Sequence, residues 1–166
     1  MSPRAGAGPS RVSPIGVDYE IRDAGTADSA ALARLATQLG YPTTAEQAAR
    51  RAAEILSRSD HRVLVAEAAG EVVGWIHVAE SETLESDRSA EIAGLVVDEA
   101  FRGLGIGARL IAQAEAWTAD QGHGLMRVRS NVKRNRARRF YERAGYTITK
   151  RQRNFEKPLE GSTAPG

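Results

Sequence analysis

The amino-acid sequence predicts an α/β protein in which a mixed β-sheet is flanked by about four helices. Short apolar runs rich in valine and isoleucine indicate strands, and longer segments with apolar residues three and four positions apart indicate helices. A glycine-rich turn joins the strand at residues 91–97 to a helix that extends to about residue 121. Taken along the chain, these segments give the predicted element order βααβββαβαββ.

The first part of the chain predicts a strand followed by two helices. Residues 17–22 form the first strand, and a helix with apolar residues on one face follows until Pro42 ends it. Thr44 and Gln47 have the spacing of a capping box, which opens a second, alanine-rich helix that extends to about residue 57.

The remaining elements follow in the order hairpin, acidic loop, strand, helix, strand, helix and a final pair of strands. Gly70 separates the two strands of the hairpin. The acidic loop covers residues 80–87 and is predicted to be exposed. We predict these strands at residues 62–68, 71–79, 91–97, 125–130, 146–149 and 153–159, and the last helix at residues 134–144.

Length and composition indicate a single globular domain. Of the 166 residues, 42% are hydrophobic and 27% are charged, which is ordinary for a folded soluble protein. Residues 1–16 are rich in Pro, Gly, Ser and Ala, and they are expected to form a disordered tail, as residues 161–166 are expected to form a flexible one. A single domain is therefore predicted over residues 17–160.

Sequence features also limit the expected partners. The chain contains no cysteine, and its three histidines show no ligand spacing, so no metal is expected. No apolar stretch approaches membrane-spanning length and the N-terminus lacks a secretory h-region, so we expect a cytoplasmic protein without a membrane partner. Between residues 127 and 157, twelve positions are Lys or Arg, but no nucleic-acid-binding motif accompanies them. No nucleic-acid partner is therefore expected.

The glycine-rich turn carries the strongest functional signal in the chain. Gly103, Gly105 and Gly107 alternate between Arg102 and Arg109, directly before an amphipathic helix. Glycines leave backbone N–H groups free to converge on one point, and a helix N-terminus adds partial positive charge there. These features predict a site for a phosphate or pyrophosphate.

Two other interpretations of this turn compete with that prediction. The pattern Gly103-x-Gly105-x-x-Ala108 also fits a dinucleotide-binding fingerprint, which requires an acidic residue about 20 positions further on. The chain has His123 and Arg127 in that region, and too little sequence follows for a doubly wound sheet. A turn that binds no ligand would leave the flanking arginines unexplained.

The segment Arg-Gly-x-Gly-x-Gly, which follows a strand ending Val-Val-Asp, resembles the acetyl-CoA signature of the GNAT acetyltransferases. A second segment, from Asn135 to Tyr146, is similar to the family pattern N-x-A-x-x-F-Y-E-x-x-G-[FY]. The resemblance covers roughly residues 17–159. It implies a central, strongly twisted, mixed sheet with helices on both faces, and direct transfer of an acetyl group from acetyl-CoA to a primary amine. A non-catalytic module that senses acetyl-CoA is the alternative.

The resemblance also assigns residues to acetyl-CoA, the acyl donor. The backbone at the end of the strand is implied to hydrogen-bond the pantetheine arm and to polarise the thioester carbonyl, and Gly94 is consistent with a bulge that makes room for it. Asn135 is implied to hydrogen-bond the CoA arm, or else it is only a helix-start residue. The implied cofactor-binding residues are Leu95, Val96, Val97, Arg102, Gly103, Leu104, Gly105, Ile106, Gly107, Ala108, Arg109 and Asn135.

Two residues are candidates for catalysis. Tyr141 occupies the position of the family tyrosine that protonates the departing CoA thiolate, and the alternative is a packed core aromatic. Glu91, at the start of the strand that leads into the turn, resembles the general base of some family members. Alternatively, Glu91 is an exposed strand-end carboxylate or orients the substrate ammonium, and a water chain serves as the base.

The acceptor is the least specified part of the prediction. The resemblance implies that Tyr41, the acidic loop 80–87 and residues 151–154 border the acceptor side of the cleft. An acidic mouth would concentrate a cationic amine, such as a polyamine, an aminoglycoside or a lysine side chain, whereas a solvated loop would have no role in recognition. Trp75 and His77 share one face of their strand, which either packs in the core or lines the cleft. Family analogy is also compatible with a homodimer.

Overall fold

The computed structural model describes residues 10–12, 17–130 and 135–161. The chain divides into two compact units, residues 1–129 and residues 130–166. The first unit holds the sheet and three helices, and the second holds one helix and the segment that follows it. The single domain expected over residues 17–160 stays a prediction.

The described part of the first unit forms one mixed sheet of six strands, which lie side by side in chain order. All neighbouring strands are antiparallel except the last two, which are parallel. This confirms the predicted mixed sheet. The strands are β1 (Ser10–Val12), β2 (Tyr19–Asp23), β3 (His61–Ala68), β4 (Glu71–Thr83), β5 (Ser86–Val97) and β6 (Met126–Val128).

Three helices of the first unit connect these strands: α1 (Ser29–Gln38), α2 (Ala45–Leu56) and α3 (Ile106–Asp120). The capping box predicted at the start of α2 is confirmed. The Thr44 side chain accepts a hydrogen bond from the Gln47 backbone N–H at 3.1 Å, and the Gln47 side chain accepts one from the Thr44 N–H at 3.0 Å. Two otherwise unpaired N–H groups of the helix end are therefore satisfied locally.

Helices cover both faces of the sheet, as predicted. Because side chains alternate across a strand, Gly74 and Trp75 point to opposite faces. A Cβ on Gly74 would lie 3.5 Å from Leu110 of α3, so α3 packs on that face. Trp75 shares a cavity on the other face with Leu32 of α1 and Ala48 of α2. The buried core of valines, isoleucines and leucines therefore lies in two layers, one on each side of the sheet.

The acidic segment 80–87 is not the loop that the sequence predicts. β4 continues to Thr83 and β5 already begins at Ser86, so only residues 84 and 85 form the turn of a long hairpin. The ladder pairs Glu80 with Ala90, and the hydroxyls of Thr83 and Ser86 lie 2.9 Å apart. The segment forms paired strands rather than a loop because most of its acidic side chains are exposed. They remain hydrated, so strand pairing does not require charges to be buried.

β1 lies within the N-terminal segment that the sequence predicts to be disordered. It pairs with β2 in an antiparallel ladder from Ser10↔Ile21 to Val12↔Tyr19, so it is the edge strand of the sheet. The remaining residues of that segment, and those of the C-terminal tail from residue 162, lie outside the described residues. Within the described part of the chain, no helix is long and apolar enough to cross a membrane.

The second unit contains α4 (Asn135–Arg143), which matches the predicted helix 134–144 within a residue. Residues 146–159 form no strand, so the two strands predicted there are wrong. Ile148, Phe155 and Leu159 are exposed, as expected for a segment without a ladder. Apolar and β-branched residues favour an extended chain, but a strand also needs a hydrogen-bonding neighbour, which the pattern of one segment cannot supply.

The capping box of α2 provides a first test of local stability. Thr44→Ala removes the side-chain acceptor of the Gln47 N–H, and we expect it to lower the free energy of unfolding by about 1 kcal/mol. Thr44→Ser keeps the hydroxyl and is the matched control, expected to lose much less. Chemical denaturation monitored by circular dichroism measures both variants, and equal stability of Ala and Ser at this position would contradict the cap assignment.

Candidate active site

Two glycines with left-handed backbone conformation form the turn that follows β5. Gly103 and Gly105 have φ angles of 81° and 82°, which glycine adopts at no steric cost. A Cβ at either position would meet no atom within 4 Å, so open space lies in front of both. The turn therefore needs glycine for its backbone shape, and it leaves room for a ligand.

Helix α3 begins directly behind this turn without a side-chain cap. Gly105 is its N-cap, and the first helical bond in that turn runs from the Arg109 N–H to the Gly105 carbonyl at 3.1 Å. The N–H groups of Ile106, Gly107 and Ala108 precede that bond and have no intrahelical acceptor. Together with the helix dipole, they make this end suitable for an anion.

The cationic and apolar residues of the turn have different roles. Arg102 donates a hydrogen bond from Nε to the Val97 carbonyl at 3.1 Å, and thereby ties the turn to the end of β5. Ile106 is 1% exposed, so its side chain anchors α3 in the core. Arg109 and Leu104 are half-buried, and Ala108 is exposed on the first turn of the helix. The arginine side chains, the N–H groups without an intrahelical acceptor and the start of α3 therefore lie close together at the end of β5.

Helix α1 holds the same turn from the other side. Arg34 lies 2.7 Å from Asp98 and also donates to the Val72 carbonyl at 2.9 Å. The Gln38 side chain accepts a hydrogen bond from the Glu99 N–H at 3.3 Å. The Ala100 N–H and the Arg34 guanidinium both lower the pKa of Asp98. Sequence reasoning missed this anchor, since no local pattern relates α1 to residues more than 60 positions away.

The edge of β5 that leads to the turn lacks a partner strand. Among the described residues, β6 pairs only with Ala90–Ile92 of β5. Residues 93–97 therefore hydrogen-bond to β4 on one side and have a free backbone edge on the other. Val96 is 4% exposed, and its neighbours Leu95 and Val97 are half-buried. Leu95, Val96 and Val97, the residues predicted to bind the pantetheine arm, all lie here.

A β-bulge starts this free edge. Gly94 pairs with His77 and Ile92 with Val78, so Ala93 is an extra residue on β5. The bulge predicted at Gly94 is therefore present. A Cβ on Gly94 would lie 2.7 Å from Cζ3 and 2.8 Å from Cη2 of Trp75, which is closer than side chains approach one another. Glycine is required here because the Trp75 ring covers its backbone.

Glu91 lies just before the bulge and is ion-paired. Its Oε1 is 3.4 Å from Nε of Arg129, and its side chain is 25% exposed. The carboxylate is therefore half-buried, and the guanidinium of Arg129 lies beside it, which sequence reasoning missed. The parallel register of β5 and β6, in which Glu91 pairs with Arg127, brings Arg129 close and would have indicated it.

A histidine pair lies on the same face of the sheet as Trp75. His61 Nδ1 and His77 Nε2 are 2.8 Å apart, and the two rings stack with centroids 5.1 Å apart. Burial, and secondarily the charge of His61, lowers the pKa of His77 to about 4. The sequence shows these histidines as scattered. The bulge between Ala66 and Glu67 shifts the hairpin register by one residue and places His61 opposite Ala79, on the same face as His77. A count from Gly70 without that bulge would have placed His61 opposite Val78, so the sequence does not reveal the pair.

The acidic hairpin arm has its own polar cluster. Glu80 is ion-paired with Arg88, and its Oε2 lies 3.4 Å from Nε2 of the buried His123. The arm and the end of α3 line an open cavity of about 670 Å³. β5 separates this arm from the glycine turn by eleven residues, roughly 35 Å of extended strand. The acidic segment therefore lies at the opposite end of β5 from the glycine turn.

The remaining predicted site residues lie in the second unit. The Tyr141 ring packs edge-on against Phe140 at 5.3 Å and against Tyr146 at 5.8 Å between centroids. Burial raises the pKa of Tyr141 to about 12, so its phenol keeps its proton throughout the neutral range. Asn135 is the first residue of α4 and is exposed. Both the packing and the proton-donor interpretations of Tyr141 are compatible with this environment.

Comparison with known proteins identifies the family. The sequence model of the acetyltransferase (GNAT) family matches residues 30–146. An aminoglycoside N(6')-acetyltransferase type 1 of Stenotrophomonas maltophilia is 32% identical over 86% of this chain and 95% of that protein. An aminoalkylphosphonate N-acetyltransferase of Salmonella typhimurium is 41% identical over 46% of this chain and 51% of its own length.

A solved structure agrees with the fold. The aminoglycoside N-acetyltransferase AAC(6')-Iy in complex with CoA superposes with a TM-score of 0.78 at 20% identity, over 89% of this chain and all of that one. The chain belongs to the GNAT family and is an acetyltransferase, with acetyl-CoA as the acyl donor.

The contact between Gly94 and Trp75 can be tested directly. Gly94→Ala places a methyl group within 3 Å of the Trp75 ring, and we expect the free energy of unfolding to fall by about 1–3 kcal/mol. Gly124→Ala is the matched control, since a Cβ at Gly124 meets no atom within 4 Å. Thermal and denaturant unfolding measure both variants. Equal stability of the two would show that the Trp75 ring moves aside freely.

Proposed function

We propose that this protein transfers the acetyl group of acetyl-CoA to a primary amine. The observation that carries the proposal is the uncapped N-terminus of α3, which lies behind Gly103 and Gly105 at the end of a strand edge without a partner. An anion and an extended hydrogen-bonding arm, as in CoA, complement these two features.

The pyrophosphate of acetyl-CoA binds the N–H groups at the start of α3 in this proposal. Arg102 and Arg109 add positive charge, and Arg102 also keeps the end of β5 in place through the Val97 carbonyl. The pantetheine arm lies along residues 93–97 of β5 and takes the ladder position that β6 leaves empty there. The thioester carbonyl then accepts a hydrogen bond from the same backbone edge, which stabilises the oxyanion of the tetrahedral intermediate.

The reaction requires three proton transfers. The substrate ammonium loses a proton, and its nitrogen lone pair attacks the thioester carbon to form the tetrahedral intermediate. The attached nitrogen, now cationic, loses a second proton, and collapse of the intermediate breaks the C–S bond and expels the CoA thiolate, which takes up a proton. We assign the Tyr141 phenol as the donor of the proton that the thiolate takes up. Glu91 accepts the first proton from the ammonium, either directly or through water, and its ion pair with Arg129 fixes the carboxylate in position.

The acceptor class is supported by the relatives rather than by the fold. The relative that aligns along 95% of its own length is named for acetylation of an aminoglycoside, and the second relative is named for an aminoalkylphosphonate. Both are small molecules with an amine. We therefore propose a small-molecule amine as acceptor, with a peptide lysine as the less supported candidate.

The experiment that tests the function measures acetyl-CoA consumption and free-thiol release across aminoglycosides, polyamines, aminoalkylphosphonates, arylalkylamines and lysine peptides. Thiol release with one class establishes the transferase and names its acceptor. A parallel calorimetric titration measures CoA binding. Tight CoA binding without turnover on any amine would favour the sensing module, and absence of CoA binding would overturn the proposal.

Gly105→Glu tests the phosphate site. The variant places a carboxylate where an anion should bind, and we expect CoA affinity to fall at least 100-fold. Gly70→Glu is the matched control because Gly70 has nearly the same backbone conformation, φ 80°, with the same open space around it, but lies in the β3–β4 turn. Calorimetry on both variants separates backbone strain from charge. Retained affinity in Gly105→Glu would contradict the pyrophosphate assignment.

Tyr141→Phe tests the proton donor. Loss of the phenol is expected to lower kcat roughly 100-fold while the KM for acetyl-CoA changes little. Since the pKa of Tyr141 is raised to about 12, the phenol stays protonated and should cause no loss of wild-type activity between pH 7 and 10. Tyr146→Phe removes a hydroxyl from the neighbouring ring and is the control. Equal kcat for both variants would assign Tyr141 to packing alone.

A further inference from the structure

A small cavity lies between the helices and the sheet on the face that carries Trp75. Its volume is about 160 Å³, which is close to the roughly 150 Å³ of a cavity that holds benzene in another protein. Helices α1 and α2 form one wall and strands β3 and β4 form the other. Residues that line it include Leu32, Ala52, Ile55, Val63, Trp75 and His77.

The indole of Trp75 connects this cavity to the acetyl-transfer strand. Its Nε1 is buried and, among the described residues, has no hydrogen-bond acceptor. Indole N–H is a donor only, so its buried position calls for an acceptor atom. The far edge of the same ring lies on Gly94, at the bulge that begins the free edge of β5. A group bound in the cavity therefore contacts a side chain that also touches the reaction strand.

The charges around the cavity exclude an ammonium group from it. No acidic side chain is among the described residues that line it, and Arg51 at its border is cationic. His77 has its pKa lowered to about 4 by burial and by His61, so it is neutral at physiological pH. An ammonium ion would lose its hydration here without gaining a counter-charge. The cavity is suited to a neutral group.

We propose that this cavity binds the body of the acceptor, so that the substrates of the enzyme are amines carrying a neutral group of about benzene size. The arylalkylamines are the corresponding chemical class. The amine itself stays outside the cavity. This inference rests on the proposed acetyl transfer and gives that reaction a substrate class. A polycationic sugar, with its charges and hydroxyls, does not fit such a site.

Filling the cavity is the first test. Ala52→Leu on α2 projects into it, whereas Ala53→Leu makes the same change on the exposed face of the same helix. In a Trp117→Phe background, Trp75 is the only tryptophan and reports on the cavity by fluorescence. We expect phenethylamine to produce a saturable change that weakens at least tenfold in Ala52→Leu and remains in Ala53→Leu. Equal affinity in both variants, or no response in either, would overturn the inference.

Two further variants distinguish a change in the cavity from misfolding of the protein, because they alter the preference between substrates. Ile55→Ala enlarges the cavity, and we expect it to shift preference from phenethylamine toward naphthylethylamine by at least fivefold. Trp75→Phe shortens the ring that lines the cavity, and we expect it to shift the preference in the same direction. Unchanged preferences in both variants would contradict the cavity assignment.

Failure of this inference and failure of the proposed function give different results. The fluorescence titration reports on the cavity without acetyl-CoA, and calorimetry reports on CoA without an amine. Acetyl transfer to other amines, with no phenethylamine response in the titration, would support the proposed acetyltransferase activity and contradict arylalkylamines as its substrate class. Absence of CoA binding would remove the proposed function itself.

Discussion

The site depends on one constraint, the hydrogen-bonding requirement of the β5 backbone. Each strand within a sheet satisfies its N–H and C=O groups on both sides, but β6 pairs with β5 only up to Ile92. The extra residue at Ala93 changes the course of β5 where that pairing stops. From there to the turn before α3, β5 has no partner strand on that side among the described residues. Strand, turn and helix therefore offer one continuous row of backbone groups, and side chains serve mainly to hold that row in place.

The side chains that hold it come from distant parts of the chain. Arg102 fixes the strand end from within the turn, Arg34 of α1 fixes the turn through Asp98, and Ile106 fixes the helix in the core. Trp75 supports the bulge from β4. Because backbone donors cannot be changed by substitution, variation of affinity or specificity in such a site must act through these supports. With this arrangement, the residues that bind the acceptor amine can vary while the backbone that binds the acyl donor stays constant.

Local patterns were sufficient to predict much of this arrangement. The capping box of α2, the glycine turn and the bulge at Gly94 all follow from residues close together in sequence, where steric and hydrogen-bonding rules act directly. The hairpin arm at 80–87 and the segment 146–159 were assigned wrongly because pairing depends on a neighbour that lies elsewhere. The His61–His77 pair, the Arg129–Glu91 pair and the Arg34 anchor were missed for the same reason.

The packing of the Trp75 ring on Gly94 also constrains how this sequence can change over time. A methyl group at position 94 is tolerated only after position 75 has lost its large ring, and a smaller residue at position 75 leaves a gap while position 94 remains glycine. Neither first step is neutral, so the two sites are epistatic. Related chains should therefore carry either a bulky residue with glycine or a smaller residue with a larger partner, and seldom the mixed combinations.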